Sequence, residues 1–197
     1  HGQQQSPTKL KQILPHDIDY VAGHPMTGSE QSGIKAANAE LFRNKGYILI
    51  PQTAKKEKSV KLVNELLKVT GANITTMGIE EHDAVAAVIS HVPHVVAAGL
   101  VNILGSAETD VDNKLKLAGG GFKDTTRIAS SNSDMWADIC ISNADNIIIE
   151  LEKLQTEITG VITDIKNNDR DNIYNYFYKA KCRRDKLIDA ANRILKK

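Results

Sequence analysis

The chain is organised around residues 80–104, which read EEHDAVAAVISHVPHVVAAGLVNIL. Apart from a few polar landmarks this stretch is apolar, and a helix that is apolar on every side belongs inside a bundle or at a subunit interface. A helix of about 25 residues spans about 37 Å, which is long enough to cross a small domain. Pro93 lies in its middle. Because proline lacks an N–H and clashes with the preceding turn, we expect a kink near residues 89–92.

Two histidines, His91 and His94, flank Pro93 three residues apart, so a helix places them on roughly one face. One interpretation is a pair of hydrogen-bonded core histidines. A second is a zinc site. The spacing disfavours it, because the pattern is not His-Glu-x-x-His and no third ligand lies nearby in the sequence, so we predict no metal. A third is a polar pocket that handles a proton or an anion, since histidine titrates near neutrality.

Composition narrows the class of protein. A chain of 197 residues can bury a core as one domain or as two small ones. Its 25 Lys and Arg balance 24 Asp and Glu, which points to neither nucleic acid nor an anionic membrane as a partner. His91, Pro93 and His94 interrupt the longest apolar run before it reaches the roughly 18 residues of a membrane span. Cys140 and Cys182 are interpreted as reduced thiols of a cytoplasmic protein.

Strand and helix patterns alternate ahead of the central stretch. Residues 19–23 predict a strand that delivers His24 at its C-terminal end, and residues 46–50 predict a second strand stopped by a proline. A helix over 57–69 and a strand over 72–77 follow. This rhythm predicts a parallel or mixed α/β sheet with too few strands for a doubly wound domain. No Gly-x-Gly-x-x-Gly follows a strand, so the dinucleotide fingerprint is absent from these residues.

Helical patterns fill the second half. Residues 131–134 supply candidate N-caps for a helix that begins near Asp134. Its apolar positions alternate in spacing between four and three: 140, 144, 147, 151, 154, 158, 161 and 165. This is a heptad seam, which buries itself against another long helix, in the same subunit or in its twin. A last helix is predicted from Ile173 to Leu195.

Three short motifs carry most of the chemically reactive side chains: HPMTGSE at 24–30, EEHD at 80–83 with SHVPH at 90–94, and GGGFKDTTRIA at 119–129 with Trp136. In this order and spacing they resemble the prephenate dehydrogenases, the TyrA family of tyrosine biosynthesis. The resemblance runs from about residue 14 to residue 147. Each motif alone would be suggestive, whereas all three in the family's order are specific.

The resemblance implies a two-part fold of class α/β plus all-α. Residues 1–77 would be the C-terminal half of a Rossmann-like nucleotide-binding domain, and residues 78–197 a helical dimerisation and prephenate-binding domain. In the family the glycine fingerprint lies N-terminal to this material, so we expect a chain truncated at its N-terminus. The cofactor would be NAD or NADP, its binding residues stay unassigned, and the assembly would be a homodimer.

The family's reaction moves a hydride from C4 of prephenate to the nicotinamide while the ring carboxylate leaves as carbon dioxide. A base must take the C4 hydroxyl proton. His24 matches the family's catalytic histidine, and a neutral imidazole at a strand end suits that task. Arg127 matches the family's substrate-binding arginine. An arginine suits that role because its guanidinium holds a carboxylate bidentately. The alternatives are a turn histidine before proline for His24 and a helix-end ion pair with Asp124 for Arg127.

The remaining site residues follow from the same resemblance. His94 would face the substrate side chain, with Ser90, His91 and Asp124 in a supporting shell. Further contacts to substrate are predicted for Ser29, as a hydrogen-bond donor, for Gly120, where the backbone could approach the ligand, and for Trp136, as a wall. Two rival functions stay open: an arogenate dehydrogenase, and a dimerising helical module without activity.

Overall fold

The fold is described from a computed structural model for residue 10 and residues 13–27, 37–105 and 116–195. The chain forms two compact units, residues 1–148 and 149–197. Ser29 lies outside the described residues, and so does the hydrogen bond predicted for it.

A three-stranded sheet opens the first unit. Strands β1 (Ala22–Pro25), β2 (Gly46–Ile50) and β3 (Asn73–Thr76) lie in the order β1-β2-β3. β1 runs antiparallel to β2 and β2 parallel to β3, which makes the sheet mixed, one of the two predicted forms. Its core is built on Ala22, Ile48 and Ile50.

The direction of β1 corrects the prediction for His24. His24 lies within the strand, opposite Ile48, rather than beyond its end. Because β1 is antiparallel, its C-terminal end lies beside the start of β2, where Pro25 is opposite Tyr47. The prediction that His24 follows the C-terminal end of its strand is therefore wrong. Pro25 is tolerated because edge strands leave one row of backbone groups outside the ladder.

Short connections fix the sheet to the helices. A 3-10 turn, Pro51–Thr53, follows β2 and leads to α1, Glu57–Lys68. The fully buried Thr53 hydroxyl accepts from the Ala22 N–H at 2.8 Å and donates to the Ile50 carbonyl at 2.7 Å. This one side chain therefore joins the start of β1 to the end of β2.

The central apolar stretch is helical but interrupted. It consists of α2 (Ile79–Ala86), a π turn (87–91) and α3 (Val92–Gly105). The Val92 N–H bonds to the Ala87 carbonyl, five residues back instead of four. The disruption expected near Pro93 thus takes the form of a π turn immediately before it, a feature often found at functional sites.

The surroundings of this stretch differ from a fully enclosed helix. Ala86, Ala87 and Ala97 are buried, but Val88, Ile89, Leu100, Val101 and Ile103 are 38–70% exposed. By length and composition alone, Ile79–Leu104 could cross a membrane, so the expectation that its polar residues prevent a span-length run is wrong by this measure. A core helix passes the same test when most of it is buried, whereas only 22% of this stretch is buried in the single chain. The start of the stretch is tied to other elements, since His82 bonds to His24 and the Asp83 carbonyl accepts from Asn143.

Short helices complete the first unit. They are α4 (Gly120–Thr126), a 3-10 turn (Arg127–Ser130) and α5 (Ser133–Ser142). α4 and the turn after it both pack against α3. The Asn132 side chain accepts from the Met135 N–H at 2.9 Å, which confirms an N-cap within 131–134.

The long helical seam is two helices rather than one. α5 ends at Ser142 and α6 (Ala144–Lys166) begins after Asn143, whose backbone leaves the helical region (φ −119°, ψ 33°). In the second unit, α7 runs over Arg170–Leu195, three residues longer than predicted. Six apolar or aromatic side chains of these two helices stand 45–64% exposed in the single chain: Ile158, Ile162, Ile165, Tyr174, Phe177 and Tyr178.

Candidate active site

Three side chains from distant parts of the sequence form a hydrogen-bonded chain. The half-buried His24 on β1 has its Nδ1 2.8 Å from Nε2 of His82 on α2, and the ring centroids lie 5.1 Å apart. Nδ1 of His82 lies 2.9 Å from Oδ1 of Asp83. His82 and Asp83 are each only 3% exposed. The structure therefore places the predicted catalytic histidine against a buried imidazole and a buried carboxylate.

Sequence reasoning missed His82 and Asp83 as site residues. Both stand in the EEHD motif, which served only as a mark of family resemblance. Adjacent helical residues point in different directions, so their spacing gives no sign that they act together. The available signal was the entry of two ionisable residues into an apolar helix, where such groups are buried only with partners.

Local contacts fix the position of α2 and β1 in the site. The Gln52 side chain accepts from the Ile79 N–H at 3.1 Å, so the turn after β2 supplies a partner for the first turn of α2. On the other side, a side chain at Gly23 would place its Cβ 2.6 Å from Cε1 of Tyr47. A larger residue beside His24 would therefore displace the Tyr47 ring, which lies over β1 at that point.

The electrostatics favour neutral imidazoles. Burial lowers the pKa of His24 below the ordinary 6.5, and the neighbouring His82 lowers it further. Burial is also the largest cause of the lowered pKa of His91, followed by His24 and His82, while Asp83 opposes the shift. A neutral imidazole near pH 7 holds a lone pair that can accept a proton.

Asn143 joins the hydrogen-bonded series of His24, His82 and Asp83 to His91. The Asn143 side chain is 3% exposed, and its Nδ2 donates to the Asp83 carbonyl at 2.8 Å and lies 3.2 Å from Nδ1 of His91. Its Oδ1 accepts from Asn146 at 2.8 Å. Sequence reasoning missed Asn143 because the apolar seam was interpreted as one continuous helix. A polar amide inside that seam was the signal.

His94 and Trp136 form a second cluster beside His91. His94 Nδ1 donates to the Ser90 carbonyl at 2.8 Å, and its ring stacks on Trp136 at 3.8 Å. The His91 ring meets the same indole edge-on at 6.0 Å. The Trp136 Nε1–H is buried and has no hydrogen-bond partner among the described residues. His94 and Trp136 both line a mainly apolar cleft of about 460 Å³ between α3 and α5.

The other predicted residues lie on the segment packed against α3. Arg127 opens the 3-10 turn after α4 and is exposed, as is Asp124 on α4. Gly120 lies in the first turn of α4. A Cβ at Gly120 would meet only Asp124 Oδ2, at 4.0 Å, so packing within the chain does not demand glycine. In the described parts of the chain, no group of three or more His, Cys, Asp or Glu is arranged to hold a metal ion.

Comparisons with known proteins address the family directly. Residues 3–76 match the model of the prephenate dehydrogenase nucleotide-binding domain, and residues 79–179 match that of the prephenate dehydrogenase dimerization domain. The second match alone covers more than half of the chain.

The chain belongs to the prephenate dehydrogenase family. The resemblance inferred from the three motifs is thereby confirmed, as is the fold class of a partial nucleotide-binding domain followed by a helical domain.

Individual relatives agree with the family assignment. Prephenate dehydrogenase of Bacillus subtilis is 43% identical over 176 residues, which cover 89% of this chain and 47% of that protein. The structure of A. aeolicus prephenate dehydrogenase with hydroxyphenyl propionate and NAD+ is 34% identical, with a TM-score of 0.77 over 85% of this chain and 58% of its own. Synechocystis arogenate dehydrogenase is 25% identical, with a TM-score of 0.73 over 85% of this chain and 61% of its own. The chain spans about half the length of the curated relatives it matches.

Proposed function

We propose that the whole protein catalyses the oxidative decarboxylation of prephenate to 4-hydroxyphenylpyruvate, a step of tyrosine biosynthesis in the cytoplasm, with NAD or NADP as hydride acceptor. Residues 1–77 would belong to the nucleotide-binding domain and residues 78–197 to the helical dimerisation and substrate domain. The family matches and the B. subtilis relative support this assignment.

The observation that carries the proposal is the environment of His24. A half-buried imidazole with a lowered pKa, bonded at Nδ1 to a second imidazole, is neutral at pH 7 and leaves its other nitrogen for substrate. Such a group suits the removal of a hydroxyl proton. The role of the base is therefore assigned to His24.

The proton and carbon balance gives His24 a complete cycle. It takes the proton from the C4 hydroxyl as the hydride leaves C4, and the ring carboxylate departs as carbon dioxide when the ring becomes aromatic. The proton returns from the His24 imidazolium to the phenolate oxygen, so the base is regenerated. NAD or NADP, when bound to the whole protein, would supply the hydride acceptor.

The described residues do not fit the pyrophosphate of that cofactor. A dinucleotide site needs a glycine turn between a strand and a helix N-terminus. Here α1 opens at Glu57 after Lys56, with an acidic residue in its first turn. The use of NAD or NADP therefore rests on the family and on the A. aeolicus relative with NAD+ bound.

The dianionic substrate needs donors and cations, and these we assign to the second cluster and its neighbours. Arg127 would hold a carboxylate. His94 would contact the side chain of the substrate, together with the Trp136 Nε1–H, which has no hydrogen-bond partner in the described parts of the chain. Gly120 and Ser29 complete the proposed substrate contacts. Ser90, His91 and Asp124 form the supporting shell, in which the Ser90 carbonyl holds the His94 ring.

We also propose a homodimer. The apolar faces of the central helix and of α6 and α7 are half exposed in one chain, and the family model for residues 79–179 describes a dimerization domain. A second copy of the chain is the occupant that buries them.

One rival substrate has a specific observation behind it. The Synechocystis relative is an arogenate dehydrogenase, and arogenate bears an amino group where prephenate bears a keto group. The test measures turnover of prephenate and of arogenate by the whole protein. The absorbance of the reduced nicotinamide monitors each reaction. A higher kcat/KM for prephenate is expected, and preference for arogenate would overturn the substrate assignment. If the 197-residue chain alone forms a dimer but turns over neither substrate, the second rival, a dimerising module without activity, describes this chain by itself.

A further inference from the structure

A buried carboxylate and two imidazoles stand in series behind the proposed base: Asp83, His82 and His24. We propose that His82 and Asp83 are positioning residues that hold His24 in the tautomer with Nδ1–H, so that its Nε2 carries the lone pair that faces substrate. The proposal rests on the proposed function, because it assigns the base role to His24.

The chain of bonds fixes each proton in turn. An ionised carboxylate only accepts, so Nδ1 of His82 donates to Asp83. The neutral His82 then has its lone pair on Nε2, which accepts from His24 at 2.8 Å. His24 must therefore carry its proton on Nδ1. Which nitrogen of a histidine is protonated is set by the bond that the other nitrogen makes.

Burial and backbone contacts make this arrangement rigid. His82 and Asp83 are each 3% exposed, so neither finds water as a substitute partner. The Asn143 side chain donates to the Asp83 carbonyl at 2.8 Å, which holds the backbone of the pair against the α5–α6 junction. A hydrogen-bond partner that is itself fixed in position preserves both the tautomer and the orientation of a catalytic imidazole.

The same series of hydrogen bonds also stabilises the protonated state of His24. When His24 accepts a proton on Nε2, its Nδ1–H continues to donate to His82, and Asp83 retains its negative charge two bonds further along the series. No proton has to move along the chain. The pair therefore acts by orientation and electrostatics, as the carboxylate of a serine-protease triad does for its histidine.

The kinetic test compares two substitutions in the whole protein. His82→Leu removes the acceptor for His24, and kcat for prephenate is expected to fall at least about tenfold with KM changed less than about threefold. His82→Gln keeps a carbonyl oxygen that can accept from Nδ1, so it is expected to recover most of that loss. Glu81→Gln, which removes an exposed neighbouring carboxylate, is the matched control and should behave as wild type.

A spectroscopic test is independent of activity. The chain has six histidines, and ¹⁵N-histidine labelling resolves pyrrole-type from pyridine-type ring nitrogens, with His24 assigned by its loss in His24→Asn. The expected wild-type result is Nδ1 protonated and Nε2 unprotonated, reversed or mixed in His82→Leu. Protonated Nε2 in the neutral wild type would overturn the proposal, as would equal losses in His82→Leu and His82→Gln. If the wild type does not turn over prephenate, the proposed function fails, whereas the tautomer result still decides this inference. The tautomer of His24 in the wild type also decides this inference if His82→Leu does not fold.

Discussion

Nδ1 of His24 lies 2.8 Å from Nε2 of His82, although 58 residues separate them in the sequence. One imidazole comes from an edge strand and the other from a helix that starts after β3. Burial disfavours protonation of His24, and the neighbouring His82 disfavours it further, so the pKa of His24 lies below its ordinary value. As a result, His24 stays neutral, and able to act as a base, at pH values where a histidine is usually protonated.

Replacement of the proposed base should separate turnover from binding. In His24→Asn the size and one hydrogen bond remain but the base is lost, so kcat for prephenate should fall by roughly 10²–10⁴ with KM little changed. Steady-state kinetics of the whole protein measure both. His16→Asn, at an exposed histidine, is the control. If KM rises while kcat holds, the base lies elsewhere, and His94 is the next candidate.

Replacement of the proposed carboxylate clamp should have the opposite signature. Arg127→Lys keeps the charge but loses the bidentate fork, so KM should rise more than kcat falls, by the equivalent of about 1.5–3 kcal/mol of charge-assisted hydrogen bonding. Arg43→Lys, at an exposed ion pair with Glu40, serves as the control for arginine replacement in general. An unchanged KM in Arg127→Lys would remove Arg127 from the substrate site.

Acid should destabilise the fold through its buried histidines. The pKa values of His24 and His91 are lowered from 6.5 in the folded state, so below about pH 6.5 the unfolded chain binds more protons than the folded one. The free energy of unfolding should therefore decrease as the pH falls from 6.5 toward the folded-state pKa values. Urea unfolding at a series of pH values measures this.

Two variants make the acid effect specific. His91→Gln keeps an acceptor for Asn143 without a titrating group, so its stability should depend less on pH in that window. The pKa of Asp19 is lowered from 3.8 to about 2, chiefly because its carboxylate accepts from the Lys55 N–H. Asp19→Asn should lower the stability by a constant amount above about pH 4 and should therefore change the slope of the profile only below that pH. An unchanged slope in His91→Gln would mean that other groups cause the acid sensitivity.

Self-association should depend on the exposed face of α6. Sedimentation equilibrium of the chain at low micromolar concentration should give twice 21.6 kDa. Ile162 is 45% exposed and shares a helix face with Ile158 and Ile165, so Ile162→Glu should shift the protein toward monomer. Thr163→Glu places the same charge about 100° around the helix and should remain dimeric. A monomeric wild type would show that the apolar seam packs within one chain.

Local features were predictable where the cause is local. Strand β2 was predicted at residues 46–50 because proline stops a β-branched, apolar run there. The cap at Asn132 followed from the preference of Asn for that position. The break at Asn143 was not predicted, because the apolar spacing continues across it and the backbone departs from a helix only where the amide reaches Asp83 and His91.

The sequence by itself determined the family, the order of the three strands and the helix between β2 and β3, and the identity of His24, His94, Arg127 and Trp136 as candidates, because motifs, periodicity and caps depend on residues close together in the chain. Only the tertiary structure decided that β1 runs antiparallel to β2 and that His24 meets His82. It also decided that Asn143 bridges Asp83, 60 residues away, to His91. Such contacts arise from the path of the backbone and from burial, since a buried polar group must find a partner wherever the fold supplies one.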